Sequence, residues 1–254
     1  MNEHNITDQS LILSMILVLI ALFISNKEKL GIGKDIIWSV IRAIVQLIIV
    51  GYVLKFIFNV DHIVLTLVMV LFICTNAAFN AKKRSRNLDQ GFIISFTAII
   101  VGTSLTLFVL LVTQSIQFIP MQVIPITGMI AGNAMVAVGL CYNNLHTRFA
   151  DEGQRVQEML SLGATPKQSS VAIIRQSIKA SLIPTVDSAK TVGLVSLPGM
   201  MSGLIFAGVD PVKAIRYQIM VTFMLLSTAS LSTIIAAYLA YRKFYNKQDQ
   251  LLSK

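Results

Sequence analysis

The sequence predicts an all-α integral membrane protein with about seven transmembrane helices, an external N-terminus and a cytoplasmic C-terminus. Three observations predict this fold class. Of the 254 residues, 55% are apolar and only 13% are charged, whereas a soluble domain is about 45–50% apolar and about 25% charged. Apolar segments long enough to cross a bilayer recur along the chain. The basic residues gather in the segments between them, on one side of the predicted membrane.

Seven apolar segments are the candidate spans. A helix needs roughly 20 apolar residues to cross the hydrocarbon core of a bilayer. The segments lie at about residues 10–25, 36–58, 62–80, 91–113, 121–142, 182–206 and 214–241. Because no long polar segment stands apart from them, residues 1–254 are expected to form a single transmembrane domain.

The distribution of lysine and arginine gives the predicted orientation. Sixteen of the 21 basic residues fall in four segments outside the spans, at residues 26–35, 81–90, 143–181 and 242–254. In a seven-span chain these four segments share one side of the membrane. Cytoplasmic loops carry the excess of Lys and Arg, so this side is expected to be the cytoplasm. The protein is therefore expected in the cell membrane, in contact with lipid.

The motifs of several enzyme classes are absent from the sequence. The segment GIGKD, residues 31–35, has a Gly-Lys pair but lacks the spacing and the Ser or Thr of a phosphate-binding loop. No H-E-x-x-H or G-x-S-x-G motif occurs. Cys74 and Cys141 lack C-x-x-C spacing and are expected to be buried free thiols. Because the basic residues are dispersed, no nucleic-acid surface is predicted. No enzymatic activity and no cofactor are predicted either.

The longest segment outside the spans, residues 143–181, is predicted to form a helix, a turn and a second helix. Gly163 suits the position just after a helix end. Thr165 suits the N-cap of the next helix, Pro166 its first position, and Gln168 the third position of a capping box. One interpretation is an amphipathic pair that lies on the lipid headgroups. The other is a docking element for a soluble partner.

Polar residues inside the spans mark a candidate translocation pathway. Charged groups within a bilayer are costly and usually face the bundle interior or water, whereas amides most often join helices. The spacing of Asp187 and Lys190 places them on one helix face, where they can pair. A purely structural ion pair is the alternative interpretation. The candidate pathway residues are Arg42, Gln46, Asn76, Asn133, Asp187 and Lys190.

Two prolines are predicted to kink or break the sixth span. Pro184 and Pro198 lack the backbone N–H that a helix uses. Carbonyl groups freed at membrane depth have to be buried in protein or face water. The irregular face of this span is therefore expected to line a cavity, where Asp187 could offer a carboxylate to a cation and Lys190 would balance its charge.

Four segments resemble the FetB/YbbM permease family, to which plant aluminium-tolerance permeases also belong. The resemblance covers nearly the whole chain. It implies a membrane subunit of an ABC transporter that pairs with a separate cytosolic ATPase, works as a homodimer and, in bacteria, exports iron. The segments are IRAIVQLIIVGYVL (41–54), GMIAGNAM (128–135), LSLGATPKQS (160–169) and the block from Ser181 to Leu226.

The same resemblance implies a role for the cytoplasmic corner. In ABC importer permeases a loop with an E-A-A…G pattern docks on the ATPase. Here five positions, rather than six, separate the Glu from the Gly, and Met-Leu replaces the alanines. The residues expected to couple the chain to an ATPase are Glu158, Gly163, Ala164, Thr165 and Pro166.

The residues themselves do not identify the transported substance. Hard cations prefer carboxylates and borderline metals accept imidazole, so the candidate metal ligands are Asp187, Asp61, His62 and Asp210. A different cargo, such as a nucleotide sugar, is an alternative. An autonomous channel or secondary carrier is another, although seven spans give no equal halves. A structural or receptor-like seven-helix protein is the third.

Overall fold

A computed structural model of the chain describes residues 13–60, 62–85, 88 and 90–252. The chain divides after Val60 into two compact units, which are described separately. Within the described residues the regular elements are helices, apart from two isolated β-bridges. The prediction of an all-helical membrane protein is confirmed.

The described residues of the first unit include two apolar helices. Helix α1 is Ile16–Lys27 and helix α2 is Gly33–Val60. With 28 residues, α2 is about 42 Å long at 1.5 Å per residue, which exceeds the thickness of a bilayer core. Its side chains are largely exposed, as expected for a helix whose neighbours are lipid.

In its described residues the second unit is a bundle of five long helices and two short ones, followed by a 3₁₀ turn. Long apolar runs form four of the five long helices. Both short helices begin at Gly, where the chain changes direction. The elements are α3 (Ile63–Lys83), α4 (Gly91–Val112), α5 (Pro120–Asp151), α6 (Gly153–Ser161), α7 (Pro166–Thr191), α8 (Gly199–Phe206), α9 (Pro211–Ala240) and the 3₁₀ turn Tyr241–Phe244.

Small residues bring the long helices close together. Alanines on four of them are fully buried, among them Ala78, Ala98, Ala134 and Ala237. Without a hydrophobic difference between protein and lipid tails, close backbone approach and van der Waals packing hold such helices. A buried hydrogen bond of 2.9 Å between the hydroxyl oxygens of Ser95 and Tyr142 joins α4 to α5.

Within the described residues, five helices are long and apolar enough to cross a membrane. They correspond to the second, third, fourth, fifth and seventh predicted spans, at Gly33–Phe58, Ile63–Lys83, Gly91–Val112, Pro120–Asp151 and Pro211–Phe244. The first predicted span lies partly outside the described residues, and its described part is the short helix α1. The sixth is divided between α7 and α8. The count of seven spans and the orientation stay predictions.

Candidate functional site

A cavity of about 310 Å³ lies between α5, α7, α8 and α9. Pro184 and Pro198 both line it, as does Asn133 from α5. The lining of α7 recurs every three or four residues, at Ser181, Thr185, Ser188 and others, because one face of this helix borders the cavity. Two threonines, a glutamine and two methionine thioethers add polar and soft groups: Thr185, Thr222, Gln218, Met129 and Met200.

The sixth predicted span is interrupted beside this cavity. Helix α7 continues past Pro184 and ends at Thr191. A turn with a β-bridge between Val192 and Ser196 follows, and Pro198 then stands at the N-cap of α8. Freed backbone groups are partly satisfied locally, since the carbonyl of Thr191 accepts the N–H of Val195 at 3.0 Å. The interruption therefore falls before Pro198, while the helix runs through Pro184.

Hydrogen bonds tie Asn133 into the cavity wall. Its side-chain nitrogen donates to the Leu225 carbonyl on α9 at 3.2 Å, and its side-chain oxygen accepts from the Thr185 hydroxyl on α7 at 3.5 Å. The Thr222 hydroxyl donates to the Gln218 carbonyl at 2.9 Å. Gln218 is only 5% exposed, and its buried side-chain oxygen has no hydrogen-bond partner.

Asp187 and Lys190 form the ion pair that their spacing predicts. Their Oδ1 and Nζ atoms are 2.9 Å apart. At 100° per residue, the pair lies on roughly the opposite face of α7 from Thr185 and Ser188, and neither residue lines the cavity. Both side chains are more than half exposed on the surface of the bundle. The structure therefore places the pair outside the cavity that Asn133, Pro184 and Pro198 share.

Two of the other candidate metal ligands, His62 and Asp210, lie at the starts of separate helices. Asp61 lies outside the described residues. The His62 Nδ1 atom accepts the N–H of Val64 at the start of α3, and the Asp210 carboxylate caps α9. In the described part of the chain, no three His, Cys, Asp or Glu residues form a group that could hold a metal ion.

The remaining pathway candidates are on helices α2 and α3. Arg42 and Gln46 are exposed on α2 in the first unit. Asn76 is on α3, where its carbonyl and side-chain oxygens accept the side-chain nitrogen of Asn80 at 2.9 and 2.7 Å. The side-chain nitrogen of Asn80 thus finds its acceptors one turn away on the same helix.

The corner between α6 and α7 has the predicted local structure. Gly163 has a φ of +88°, a left-handed conformation that glycine adopts without strain. Its N–H bonds to the Leu160 carbonyl, and that of Ala164 to the Met159 carbonyl, both at 3.0 Å. This is the Schellman pattern at a helix end. Thr165 and Gln168 form the predicted capping box at the start of α7.

The corner rests on the C-terminal segment of the chain. The Tyr245 hydroxyl lies 3.1 Å from the Ser169 hydroxyl and 2.5 Å from that of Ser170, and all three groups are buried. The Phe149 and Phe244 rings stack with centroids 4.3 Å apart. The turn is thus held rigidly at the end of the bundle.

The surface of the corner is open. Leu162, an apolar side chain at the tip, is 89% exposed. Glu158, Gly163 and Thr165 are also exposed, whereas Pro166 is buried. The Glu158 carboxylate accepts a hydrogen bond of 3.1 Å from the Gln154 side chain. The corner therefore presents one apolar side chain among exposed residues that are not apolar.

Sequence reasoning missed Gln218, Thr185 and Thr222 as cavity residues. All three are uncharged and stand in largely apolar helices, so composition gives them no weight. The one available signal is that Gln218 interrupts the apolar run of the seventh predicted span. Which face of the helix it occupies becomes evident only when α5 and α7 are in place.

Comparisons with known proteins give long matches. The model of a family described as "Uncharacterised protein family (UPF0014)" matches residues 9–245. The chain is 72% identical over 252 residues to the "Probable iron export permease protein FetB" of Escherichia coli (strain K12), covering 99% of this chain and 97% of that protein. The "UPF0014 membrane protein YjkA" of Bacillus subtilis (strain 168) is 44% identical, covering 95% of this chain and 97% of the relative.

A plant relative is also similar along most of its length. The "Protein ALUMINUM SENSITIVE 3" of Arabidopsis thaliana is 37% identical over 238 residues, which cover 94% of this chain and 87% of that protein. No solved structure matches the chain.

Proposed function

Because this chain belongs to the UPF0014 family of membrane proteins, we propose that it is the membrane-spanning permease subunit of an ABC transporter that exports iron or a related metal ion. The observation that carries this proposal is the 72% identity, along 99% of the chain, to a protein named as an iron export permease. A cavity beside an interrupted helix supports it, because transporters commonly bind cargo where a helix is broken near the membrane centre.

The energy source in this proposal is a second polypeptide. The sequence has no phosphate-binding loop of its own, so ATP is hydrolysed on a cytosolic ATPase. In this proposal the α6–α7 corner and the C-terminal segment lie in the cytoplasm, as seven spans and the positive-inside rule predict. There the ATPase would contact the exposed Leu162 and the residues that follow it, and its movement on binding ATP would pass through the capped start of α7.

A homodimer completes the proposed permease. Thr185 contacts Asn133, the fourteenth residue of α5, and is thus about 20 Å from the start of that helix. Asp187 is one half-turn further along α7, close to the middle of a hydrocarbon core about 30 Å thick. An ion pair at this depth cannot face lipid without a large cost. A second copy of the chain covers this face.

The dimer can be tested by cross-linking. Val186→Cys places a thiol on the exposed face of α7, whereas Phe108→Cys places one on the exposed face of α4. Cys74 and Cys141 are buried, so the introduced thiol dominates the reaction. We expect disulfide-linked dimers from Val186→Cys in native membranes and few from Phe108→Cys. Equal cross-linking of the two variants, or none at position 186, would contradict a dimer through this face.

The function itself is tested by reconstitution. The permease is purified under mild conditions, the co-purifying P-loop ATPase is identified, and both are placed in liposomes with ⁵⁵Fe(II) under anaerobic conditions. We expect iron movement that requires ATP, magnesium and both chains. Iron movement by the permease without ATPase or ATP would favour the channel or carrier. ATP-dependent transport of another solute, with iron unmoved, would favour a different cargo.

A further inference from the structure

A groove of about 540 Å³ lies between α4 and α9. Its walls are mostly apolar, and part of them is exposed: the Phe223 side chain is 67% exposed and Val109 is 50% exposed. A groove of this size is within the range of about 300–1,000 Å³ that is typical of small-molecule sites. The apolar residues that line it include Leu105, Val109, Ile219, Met220, Phe223 and Leu231.

The length of the groove matches one leaflet of a bilayer. Deep in the groove, a buried hydrogen bond of 2.8 Å from the Thr228 hydroxyl to the Thr106 hydroxyl joins α9 to α4. The lining then follows α9 back to Arg216, which is about 18 Å from Thr228 at 1.5 Å per residue. Half of a hydrocarbon core is about 15 Å thick. The groove is therefore about as long as the acyl chains of one leaflet are deep.

A polar mouth adjoins the groove where α4 ends and α9 begins. This mouth is a second hollow, of about 410 Å³, and it shares three residues with the groove. Its lining residues are Ser115, Lys213, Arg216, Tyr217 and Met220. Because the groove and the mouth are continuous, a ligand with an apolar chain and a polar head can occupy both.

The positive charge of the mouth is not neutralised within the described residues. Lys213 and Arg216 stand one turn apart on α9 and are exposed, and neither has an ion-pair partner in that part of the chain. The nearest carboxylate in sequence, that of Asp210, accepts the backbone N–H groups of Val212 and Lys213 as a helix cap. The mouth therefore offers two cationic side chains to an anion.

The side of the membrane makes these two charges unusual. Sixteen of the 21 basic residues lie in the predicted cytoplasmic segments, and Lys213 and Arg216 are two of the five that do not. With seven spans, the start of α9 is expected on the opposite side, where Lys and Arg are not enriched. Tyr217 stands beside them, and tyrosine is typical of the level of the headgroups. A headgroup phosphate gives a physical reason for two cations at this place.

We propose that the groove between α4 and α9 binds one phospholipid with a net negative headgroup. Its phosphate lies at Lys213 and Arg216, and one of its acyl chains fills the groove. A guanidinium can donate two parallel hydrogen bonds to a phosphate, and a lysine ammonium adds a point charge. A zwitterionic headgroup carries a cation that opposes this attraction. The inference concerns a lipid and does not depend on the cargo of the proposed transporter.

Native mass spectrometry of the full-length protein tests the choice of headgroup. The purified chain in mild detergent receives an equimolar mixture of phosphatidylglycerol and phosphatidylcholine with identical acyl chains, and the retained lipids are identified. We expect one phosphatidylglycerol per chain, preferred about tenfold or more over phosphatidylcholine, because two basic residues face the headgroup. Equal retention of the two lipids, or retention of neither, would overturn the inference.

Removal of the two charges tests the mouth. Lys213→Gln/Arg216→Gln should abolish the preference for phosphatidylglycerol. The matched control is Arg175→Gln/Lys179→Gln, which removes the same charge from exposed positions on α7 and should keep the preference. An unchanged preference in the first variant, or the same loss in both, would contradict a headgroup site at the mouth.

Filling the groove tests the position of the acyl chain. Ser227 lines the groove and is exposed, so Ser227→Trp should displace the chain and reduce lipid retention about tenfold or more, while both charges stay in place. Ser104→Trp is the control, because Ser104 is exposed on α4 but does not line the groove. Parental retention by Ser227→Trp would refute the position of the chain.

Two further measurements distinguish other occupants. Inorganic phosphate in excess, compared with chloride at equal ionic strength, should leave the lipid bound, and its displacement would assign the mouth to a free anion instead. Phe223→Cys should give few disulfide-linked dimers in native membranes, and efficient dimer formation would assign the groove to a second copy of the chain. If a variant fails to fold, the lipid preference of the unaltered protein still decides.

Discussion

At the scale of the residue, the ion pair of Asp187 and Lys190 puts two charges within a predicted span. Each charged group costs about 2.5–3.5 kcal/mol at the centre of a membrane helix. The 2.9 Å contact between the two side chains offsets part of that cost. Because both are more than half exposed on a single chain, their environment depends on what covers this face of α7.

We expect the two charges to act as a unit. Asp187→Asn leaves Lys190 without its partner at membrane depth, and ATP-driven iron transport should fall about tenfold or more, which corresponds to roughly 1.4 kcal/mol. Dimer cross-linking through residue 186 should fall with it. The double variant Asp187→Asn/Lys190→Met removes both charges and should recover cross-linking. Transport by Asp187→Asn at the parental rate would show that the pair serves neither the pathway nor the dimer.

At the scale of the element, the contact between α4 and α9 depends on a single missing side chain. A Cβ atom at Gly102 would overlap the Ser232 hydroxyl. That hydroxyl is buried and has no hydrogen-bond partner. The close approach of α4 and α9 thus leaves the Ser232 hydroxyl buried without a hydrogen-bond partner.

Gly102→Ala is expected to destabilise the bundle by about 1–3 kcal/mol through overpacking. Adding Ser232→Ala removes the overlapping oxygen and should restore most of the lost stability. The measurement is the thermal unfolding midpoint of purified protein in detergent, with Gly128→Ala as the control because no atom lies within 4 Å of a Cβ there. A double variant no more stable than Gly102→Ala would contradict this account of the contact.

In the corner between α6 and α7, Gly163 is the position at which a larger residue is expected to be poorly tolerated, because its φ is positive. Gly163→Val forces a branched side chain into a left-handed conformation and should cost about 1–2 kcal/mol. We expect normal insertion but roughly fivefold less co-purifying ATPase, with Gly33→Val as the control, since Gly33 has neither a positive φ nor a close neighbour. Unchanged ATPase recovery from an equally expressed variant would place the docking surface elsewhere.

Most elements could be predicted because their sequences carry redundant signals. The five long apolar helices follow from composition and length, and the corner from three residues in a row with strong positional preferences, Gly163, Thr165 and Pro166. The ends of the sixth predicted span are harder to predict. Helix α7 is a single helix from Pro166 to Thr191. It is polar at its start and less polar at its end. Composition therefore predicts a boundary inside α7, although the helix is continuous there.

At the scale of the whole molecule, orientation follows from the placement of charge. A reporter that fluoresces only in the cytoplasm, joined after Lys254, should be bright, because sixteen basic residues are predicted on that side. The same reporter inserted after Ser115, in the turn that follows α4, should be dark. A stably expressed but dark fusion at residue 254 would contradict the seven-span orientation.

The cavity could not be predicted at this scale, for a physical reason. A charged residue such as Asp187 is conspicuous in an apolar sequence. The structure nevertheless places Asp187 on the opposite face of α7 from the cavity. Gln218 lines the cavity only because α5, α7 and α9 converge around it. A neutral site formed by three helices far apart in sequence leaves no local pattern that spacing or composition could detect.

The contact between Tyr245 and the two serines at the start of α7 can form only after Tyr245 has been translated. Ser169 and Ser170 leave the ribosome about 75 residues before Tyr245, so the corner lacks its support while the rest of the bundle is being inserted. A nascent or truncated chain would present a loose turn to any partner. The support of the corner thus depends on residues that are translated well after it, and a partner that recognises the turn would favour chains that include Tyr245.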